Sequence, residues 1–367
     1  MKRQAAQLLR HNIRASLLGH RGTAGRRRKP APKINAPAAP EVSAAERQRT
    51  EELEQELELA RDIQQGLLLE AAPHLSGWEI TAVSLPARSL GGDLYDFLPL
   101  SAGAHGIMIG DVSGKGLPAA LRMAVARTVF RHEARRNGPP ADTLAAVNRG
   151  ILSEIPQGMV TMLYARLDLT RGRLRLANAG HTFPMVINGQ VSEIELSGLP
   201  LGVDDESDYN EDCIDLNPGD SVLLYTDGVL EAENASGEIF SYERLEALVA
   251  ANNRLKPRAL VARLLSELRT WSNGVQSDDI TIVALRRRLD RLNSELFSVS
   301  EDVLGAERAA QLWSELEYLL ANSPDTAGSE HWLAALPAIV KLVQTSFGRG
   351  LAREMNQQLR LVLEDYR

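Results

Sequence analysis

Four short apolar runs in this chain each abut a turn rich in glycine and aspartate, and no other pattern in the sequence restricts the fold as much. Asp111 follows Ile107-Met108-Ile109, and Asp227 follows Val222-Leu223-Leu224-Tyr225. Asp278 and Asp279 precede Ile280-Thr281-Ile282-Val283, and Gly91-Gly92-Asp93 leads into Leu94-Tyr95-Asp96. Short β-branched runs bounded by Gly or Asp read as strands. A carboxylate at a strand end points from a rigid element into a turn, where a hard cation can be held. Carboxylates gathered from several strand ends favour magnesium or manganese over soft metals.

Around these motifs, residues 77–288 read as short strands with helices inserted in blocks. Leu117–Arg135, Ala141–Ile155, Tyr242–Asn252 and Pro257–Trp271 read as helices, with Pro118 tolerated in a first turn. Strand-like runs lie at Met162–Asp168 and Leu174–Ala177. That order predicts an α+β layered sandwich, not a doubly wound sheet. Before it, Ser43-Ala44-Ala45-Glu46 fits a capping box, and Leu53, Leu57, Ala60, Gln64 and Leu67 follow a heptad spacing. The seam fits either a helix packed on its own domain or a dimeric coiled coil. Residues 289–367 are helical in pattern, with apolar stripes at Leu312, Leu316, Leu319 and Leu320 and at Leu333, Leu336, Ile339, Val340 and Val343. The expected organisation is a basic arm with a Pro/Ala linker (1–40), a helical lead-in (41–75), the sandwich (76–288) and a helical accessory region (289–367).

The net charge of −7 conceals an asymmetry, because residues 1–40 hold ten lysines or arginines and no carboxylate, leaving the remainder at −17. A basic arm of this kind is a disordered tail or a contact for anionic membrane or an acidic partner. The acidic remainder argues against nucleic acid. With Cys213 as the one cysteine, an intrachain disulfide framework is excluded and a cysteine-rich zinc site disfavoured. No stretch approaches the roughly 20 apolar residues of a membrane span, so a cytoplasmic protein is expected.

The acidic set suits phosphate-ester hydrolysis, among the slowest uncatalysed reactions. Two divalent ions can activate a water and neutralise phosphoryl charge. Such a site needs carboxylates and a few main-chain carbonyls, and this chain has no convincing Ser-His-Asp or Cys-His set. A single Gly-Asp pair would be an ordinary turn. Gly91-Gly92-Asp93 lacks the second acidic residue of a GGDEF cyclase signature, and Asp111-Val112-Ser113-Gly114-Lys115-Gly116 lacks Walker spacing. His181, after Ala179-Gly180, reads as a structural histidine at a turn rather than a general acid, and Cys213 has no assigned role.

The ordered set Pro86-Ala87-Arg88-Ser89-Leu90-Gly91-Gly92-Asp93-Leu94-Tyr95-Asp96, Asp111-Val112-Ser113-Gly114-Lys115-Gly116, Ala179-Gly180-His181, Tyr225-Thr226-Asp227-Gly228 and Ser277-Asp278-Asp279-Ile280-Thr281 resembles the metal-dependent protein phosphatases of the PPM family, specifically the bacterial SpoIIE/RsbU branch. Glu58-Leu59-Ala60-Arg61-Asp62-Ile63-Gln64-Gln65-Gly66-Leu67-Leu68 is similar to the helical lead-in of that branch, and the likeness covers about residues 52–288. The resemblance implies an α-β-β-α sandwich of two antiparallel sheets, with a protein serine/threonine phosphatase site at one edge. It implies Asp93, Asp111, Asp227 and Asp278, with the Val112 carbonyl, as ligands of two divalent cations, Mn2+ or Mg2+, and a hydroxide activated between them as nucleophile. Asp111 would bridge the ions, Asp279 would orient the site from behind, and Arg88 would either grip the substrate phosphate or stay solvated. The implied substrate is a phosphorylated regulatory protein of the STAS, anti-anti-sigma type, in a partner switch. A regulatory partner at the terminal helices and a homodimer are further expectations. The alternative is a partner-binding scaffold with a silent site.

Overall fold

The computed structural model describes residues 44–67, 71–155, 158–319 and 328–366. The basic arm, the linker, Ser43 of the capping box, Leu68 and Leu320 lie outside the described residues. The chain divides into two units, residues 1–50 and 51–367; of the first, only the opening of one helix is described.

Helix α1 (Ala44–Leu67) leads into β1 (Trp78–Leu85), β2 (Leu94–Pro99) and β3 (Ala104–Val112). Helices α2 (Leu117–Ala134) and α3 (Pro140–Glu154) follow, then β4 (Val160–Asp168), β5 (Arg173–Ala179), β6 (Met185–Ile187), β7 (Val191–Glu193), β8 (Glu211–Asp215) and β9 (Ser221–Tyr225). Helices α4 (Tyr242–Ala251) and α5 (Pro257–Trp271) precede β10 (Ile280–Arg287), and α6 (Leu292–Leu304), α7 (Ala306–Leu319), α8 (Ser329–Phe347) and α9 (Arg349–Asp365) close the chain. The strands form two five-stranded antiparallel sheets, ordered β1-β10-β9-β6-β7 and β2-β3-β4-β5-β8. This is the expected α+β sandwich.

Side chains alternate across a strand, and here both faces are covered. Tyr95, Phe97, Ile107, Ile109, Leu163 and Leu176 meet Val222, Leu224, Val283 and Leu285 between the sheets. The opposite parity of one sheet (Leu94, Met108, Met162, Tyr164) packs under α2 and α3, with Phe130 and Ile151. The opposite parity of the other sheet (Leu223, Tyr225, Ile282) packs under α4 and α5, with Leu245 and Leu264. Double coverage explains why these strands read as unbroken apolar runs rather than alternating ones.

Along α1 the heptad positions Leu57, Ala60 and Leu67 are half-buried and Gln64 is buried, while Leu53, Leu59 and Ile63 are exposed. Most of the predicted seam is therefore covered by the chain itself. Gln64 Nε2 donates to the Gly91 carbonyl at 2.7 Å, and the Gly91 amide donates back to Gln64 Oε1 at 3.2 Å. The last four helices share one core built on Leu296, Leu312, Trp332, Leu336, Met355 and Leu363.

Candidate active site

The four predicted aspartates sit where strands meet turns. Asp93 immediately precedes β2, Asp111 is the penultimate residue of β3, Asp227 opens a 3-10 turn after β9, and Asp278 lies two residues before β10. β3 belongs to one sheet, β9 and β10 to the other, so the cluster draws on strand ends of both sheets. The turns permit close approach because they are glycine-rich. A Cβ on Gly92 would lie 2.7 Å from the Val112 carbonyl oxygen and 3.2 Å from Asp111 Oδ1. A Cβ on Gly228 would lie 2.0 Å from the Asp279 carbonyl oxygen, so that position admits no side chain.

Electrostatics show that the carboxylates act on one another. Burial, then Asp227, Asp278 and Asp279, push the Asp111 carboxyl up to about 7, and Asp93 approaches it within hydrogen-bonding reach. Burial and the charge of Asp111 hold Asp93 well above the usual carboxylate range, although Thr281 and Thr226 oppose the shift. Burial and Asp278 raise Asp227. Glu231, which the sequence reading passed over, is raised by burial, Asp227 and Asp278. Its amide donates to the Asp227 carbonyl at 2.8 Å, so a four-residue offset brings it one turn beyond the motif. Like charges packed this way need a cation nearby.

Part of that charge comes from the chain. Lys115 Nζ lies 2.8 Å from Asp278 Oδ2 and 2.9 Å from the Ser277 carbonyl. The hydroxyl of Thr226 donates to Asp93 Oδ2 at 2.8 Å and accepts the Thr281 amide at 2.9 Å, which fixes the Asp93 rotamer. Asp279 binds its neighbours instead of the cluster: Oδ1 accepts the Ala87 amide at 2.7 Å and Oδ2 the Gly92 amide at 2.6 Å. It therefore anchors both ends of the turn that carries Arg88 and leads to Asp93. With these engagements, no three His, Cys, Asp or Glu side chains converge on one point at ligating distance among the described residues. The donor set is nonetheless all oxygen. The Val112 carbonyl faces Gly92 beside Asp111, a cradle that a Cβ would fill. Those features fit a hard divalent ion once Lys115 releases Asp278.

Arg88 is exposed, makes no ion pair among the described residues, and stands near enough to Lys115 for their charges to interact. His181 lies behind Asp111: its Nδ1 is 2.9 Å from the hydroxyl of Thr161, the residue paired with Asp111 in the ladder. Burial pushes its imidazole down to about 3, and Asn178 clasps its backbone through both amide atoms. It is a neutral structural histidine. Asp96, within the first motif, faces away from the cluster toward α2 and pairs with Arg127 and Arg131. Cys213 is a free, exposed thiol. No helix among the described residues is long and apolar enough to cross a membrane.

The SpoIIE family model, "Stage II sporulation protein E", matches residues 101–288. The phosphoserine phosphatase RsbU of Bacillus subtilis is 28% identical over 243 residues, 65% of this chain and 72% of RsbU. The phosphoserine phosphatase RsbP of the same organism is 27% identical, over 48% of this chain and 45% of its own length. The chain thus spans less than half of RsbP, and the match to the protein IcfG of Synechocystis covers 41% of that relative. Among solved structures, the PP2C domain of SiaA from Pseudomonas aeruginosa superposes with a TM-score of 0.58 at 23% identity, covering 65% of this chain and 97% of that domain. The RsbU and RsbW domains of Rv1364c from Mycobacterium tuberculosis give 0.52 at 28% identity, covering 60% and 64%.

Proposed function

Because this chain belongs to the SpoIIE family and is a phosphoprotein phosphatase, we propose that it hydrolyses phosphoserine or phosphothreonine on a regulatory protein, using divalent cations held by Asp93, Asp111, Asp227, Asp278 and the Val112 carbonyl. One observation carries the metal reading: burial and neighbouring carboxylates, Asp278 among them, raise the proton affinity of Asp93, Asp111 and Asp227, which come from separate turns. Such a cluster is stable at neutral pH when cations neutralise it. Bound Mn2+ or Mg2+, two ions in this reading, would lower the pKa of a water and offset charge on the phosphoryl oxygens.

The chain's own residues set the geometry. Thr226 holds Asp93 Oδ2 by a hydrogen bond, and Asp279 fixes the turn before Asp93. Arg88, exposed on that turn and without an ion pair among the described residues, would bind two oxygens of an incoming phosphate. Lys115 holds Asp278 until a cation takes its place. His181, buried and with its imidazole pushed down to about 3, supports β4 behind Asp111 through Thr161.

Similarity to RsbU, a phosphoserine phosphatase, supports a substrate of the anti-anti-sigma type, a small STAS-like protein whose phosphoserine controls a partner switch. Exposed Leu53, Leu59 and Ile63 on α1 support self-association or a regulatory partner at that helix. The test is phosphate release from an aryl phosphate and a phosphoserine peptide with Mn2+, Mg2+ or EDTA, beside Asp111→Asn. Metal-dependent release lost in the variant is the expected result. Full turnover after rigorous chelation would refute the metal reading. Metal binding without turnover would leave a silent, partner-binding site.

A further inference from the structure

A pocket of about 500 Å³ opens beside the acidic cluster and shares Gly228, Ser277 and Asp278 with it. The C-terminal half of α5 supplies one wall through Leu265, Leu268 and Arg269; the 272–278 turn and Leu85, at the end of β1, supply the other. The volume lies in the range of ligand sites, roughly 300–1,000 Å³. An aryl phosphate reacting at the aspartates does not need this space. A polypeptide carrying the phosphate does, because its flanking residues must lie within one or two residue lengths of Asp278.

The wall is built to present an apolar side chain. Val275 is 71% exposed, although its turn is well fixed. Asn273 and Gly274 both take left-handed backbone conformations, at φ 54° and 77°. The Gly274 amide donates to the Arg269 carbonyl at 2.9 Å, and the Val275 amide to Ser272 at 3.0 Å. The Gln276 side-chain amide ties the turn to the Leu85 carbonyl at 2.7 Å and the Asp278 carbonyl at 2.8 Å. Trp271 Nε1 donates to the Ala232 carbonyl at 3.0 Å and locks the end of α5. The turn thus holds Val275 in a fixed position on the rim of a pocket that also contains Asp278, where a bound segment can cover it.

Charge indicates the partner's chemistry. The cluster edge is acidic, through Asp227, Asp278 and Glu231. Arg269, exposed in the pocket lining next to the Val275 turn, has no ion pair among the described residues. A carboxylate held there would have the one free cation of the pocket lining among the described residues as its partner.

We propose that this pocket is the peptide subsite of the phosphatase: it receives an apolar side chain flanking the phosphoserine against Val275 and Leu85, with an acidic residue of the same segment paired to Arg269. The assignment rests on the phosphatase reading above and adds which polypeptides the site selects.

The test uses the full chain with Mn2+ and two phosphoserine peptides, one flanked on both sides by leucine and glutamate, the other by alanine and lysine. Turnover of p-nitrophenyl phosphate is the reference. For Val275→Asp and Arg269→Glu, both exposed positions, the ratio of leucine/glutamate-peptide turnover to aryl-phosphate turnover falls about tenfold, through KM. For Arg269→Glu the preference shifts toward the lysine peptide. Fluorescence polarisation of the labelled leucine/glutamate peptide on Asp111→Asn, alone and combined with each variant, reads the subsite without turnover, and the same tenfold loss is expected. Unchanged ratios and unchanged peptide affinity would overturn the subsite while leaving the phosphatase intact. Absence of metal-dependent aryl-phosphate turnover would overturn the phosphatase reading, and the polarisation series would still decide whether the pocket binds peptide.

Discussion

Lys115 carries the sign of charge that the aspartate cluster lacks, and it is bound to Asp278. Both partners are partly exposed, so the pair itself contributes at most about 1 kcal/mol. Its consequence is competition, since an ammonium and a metal ion cannot both hold the same carboxylate oxygen. Replacing it by methionine removes a competitor and a nearby like charge. Lys115→Met should tighten Mn2+ binding by up to about fivefold by calorimetry, the upper limit of the pair's worth; unchanged or weaker binding would show that Lys115 does not gate the site. Asp279 offers a second test. An asparagine there keeps one acceptor where the Ala87 and Gly92 amides need two. Asp279→Asn should fold normally and lower kcat/KM about 10–100-fold, the usual cost of loosening a ligand's support. The aspartates could be read from the sequence because glycines and apolar runs mark strand ends. Lys115 was visible only as part of an imperfect phosphate loop, and Glu231 has no marker, because its approach to Asp227 depends on a 3-10 turn.

At the scale of elements, side-chain parity decides roles that motifs leave open. Leu94, Asp96 and Leu98 lie on the helix-facing side of β2, and Tyr95 and Phe97 on the sheet-facing side. Asp96 therefore lies under α2, fully buried, 3.1 Å from Arg127 Nε and 2.9 Å from Arg131 Nη1. Asp96→Ala strands two guanidinium groups, and urea unfolding should show a loss of about 3 kcal/mol. A loss below 1 kcal/mol would mean that solvent already serves the arginines. Glu295 on α6 plays the equivalent part at the end of β10. Burial pushes its carboxyl up, but Lys256, Arg286, the Leu289 amide and Arg288 more than offset this and bring it down to about 2. A carboxyl depressed in the folded state stabilises above its ordinary pKa and loses that contribution as pH falls through the folded value. Glu295→Gln should therefore cost about 3 kcal/mol at pH 7, and the gap to the unsubstituted chain should close between pH 4.5 and 2. A pH-independent gap would point to packing instead of charge. Helix α5 matches its sequence-predicted bounds because Pro257 marks its first turn. The heptad seam was ambiguous because one apolar stripe serves equally for a coiled coil and for packing on the chain's own domain; Gln64, bonded to Gly91, sides with the latter at its own position.

For the molecule as a whole, the question is whether the last four helices are an appendage or part of the folded body. Their apolar stripes were legible, and they do form a core of their own. The junction was not legible, because Lys256, Arg286, Arg288, Glu295 and Asp365 look like surface charges in a sequence; only the fold reveals that the first four are buried and that the Asp365 side chain is covered. Lys256 Nζ lies 3.4 Å from both Glu295 and Asp302. Arg288 binds Asp365 of α9 at 2.7 Å, Asp365 also meets His74 at 2.8 Å, and Tyr366 donates to the Leu289 carbonyl. Arg258 of α5 pairs with Glu354 of α9. Ending the chain at residue 288 would remove Glu295 and Asp302, which pair with Lys256, and among the described residues would leave Arg286 and Arg288 with Glu79, at 3.9 and 4.0 Å. Water can then reach these cations, so the loss is that of the ion-pair network shared with the helices, about 2 kcal/mol, and each kcal/mol shifts the midpoint by about 2–4 °C in a domain of this size. The truncated protein should therefore melt about 5 °C lower than the full chain in a thermal scan. Glu295→Gln in the full chain should reproduce part of that shift, because it removes the central anion while keeping the helices. If the truncation melts at the same temperature and Glu295→Gln is also silent, the helices are an appendage and the buried ion pairs only offset their own desolvation.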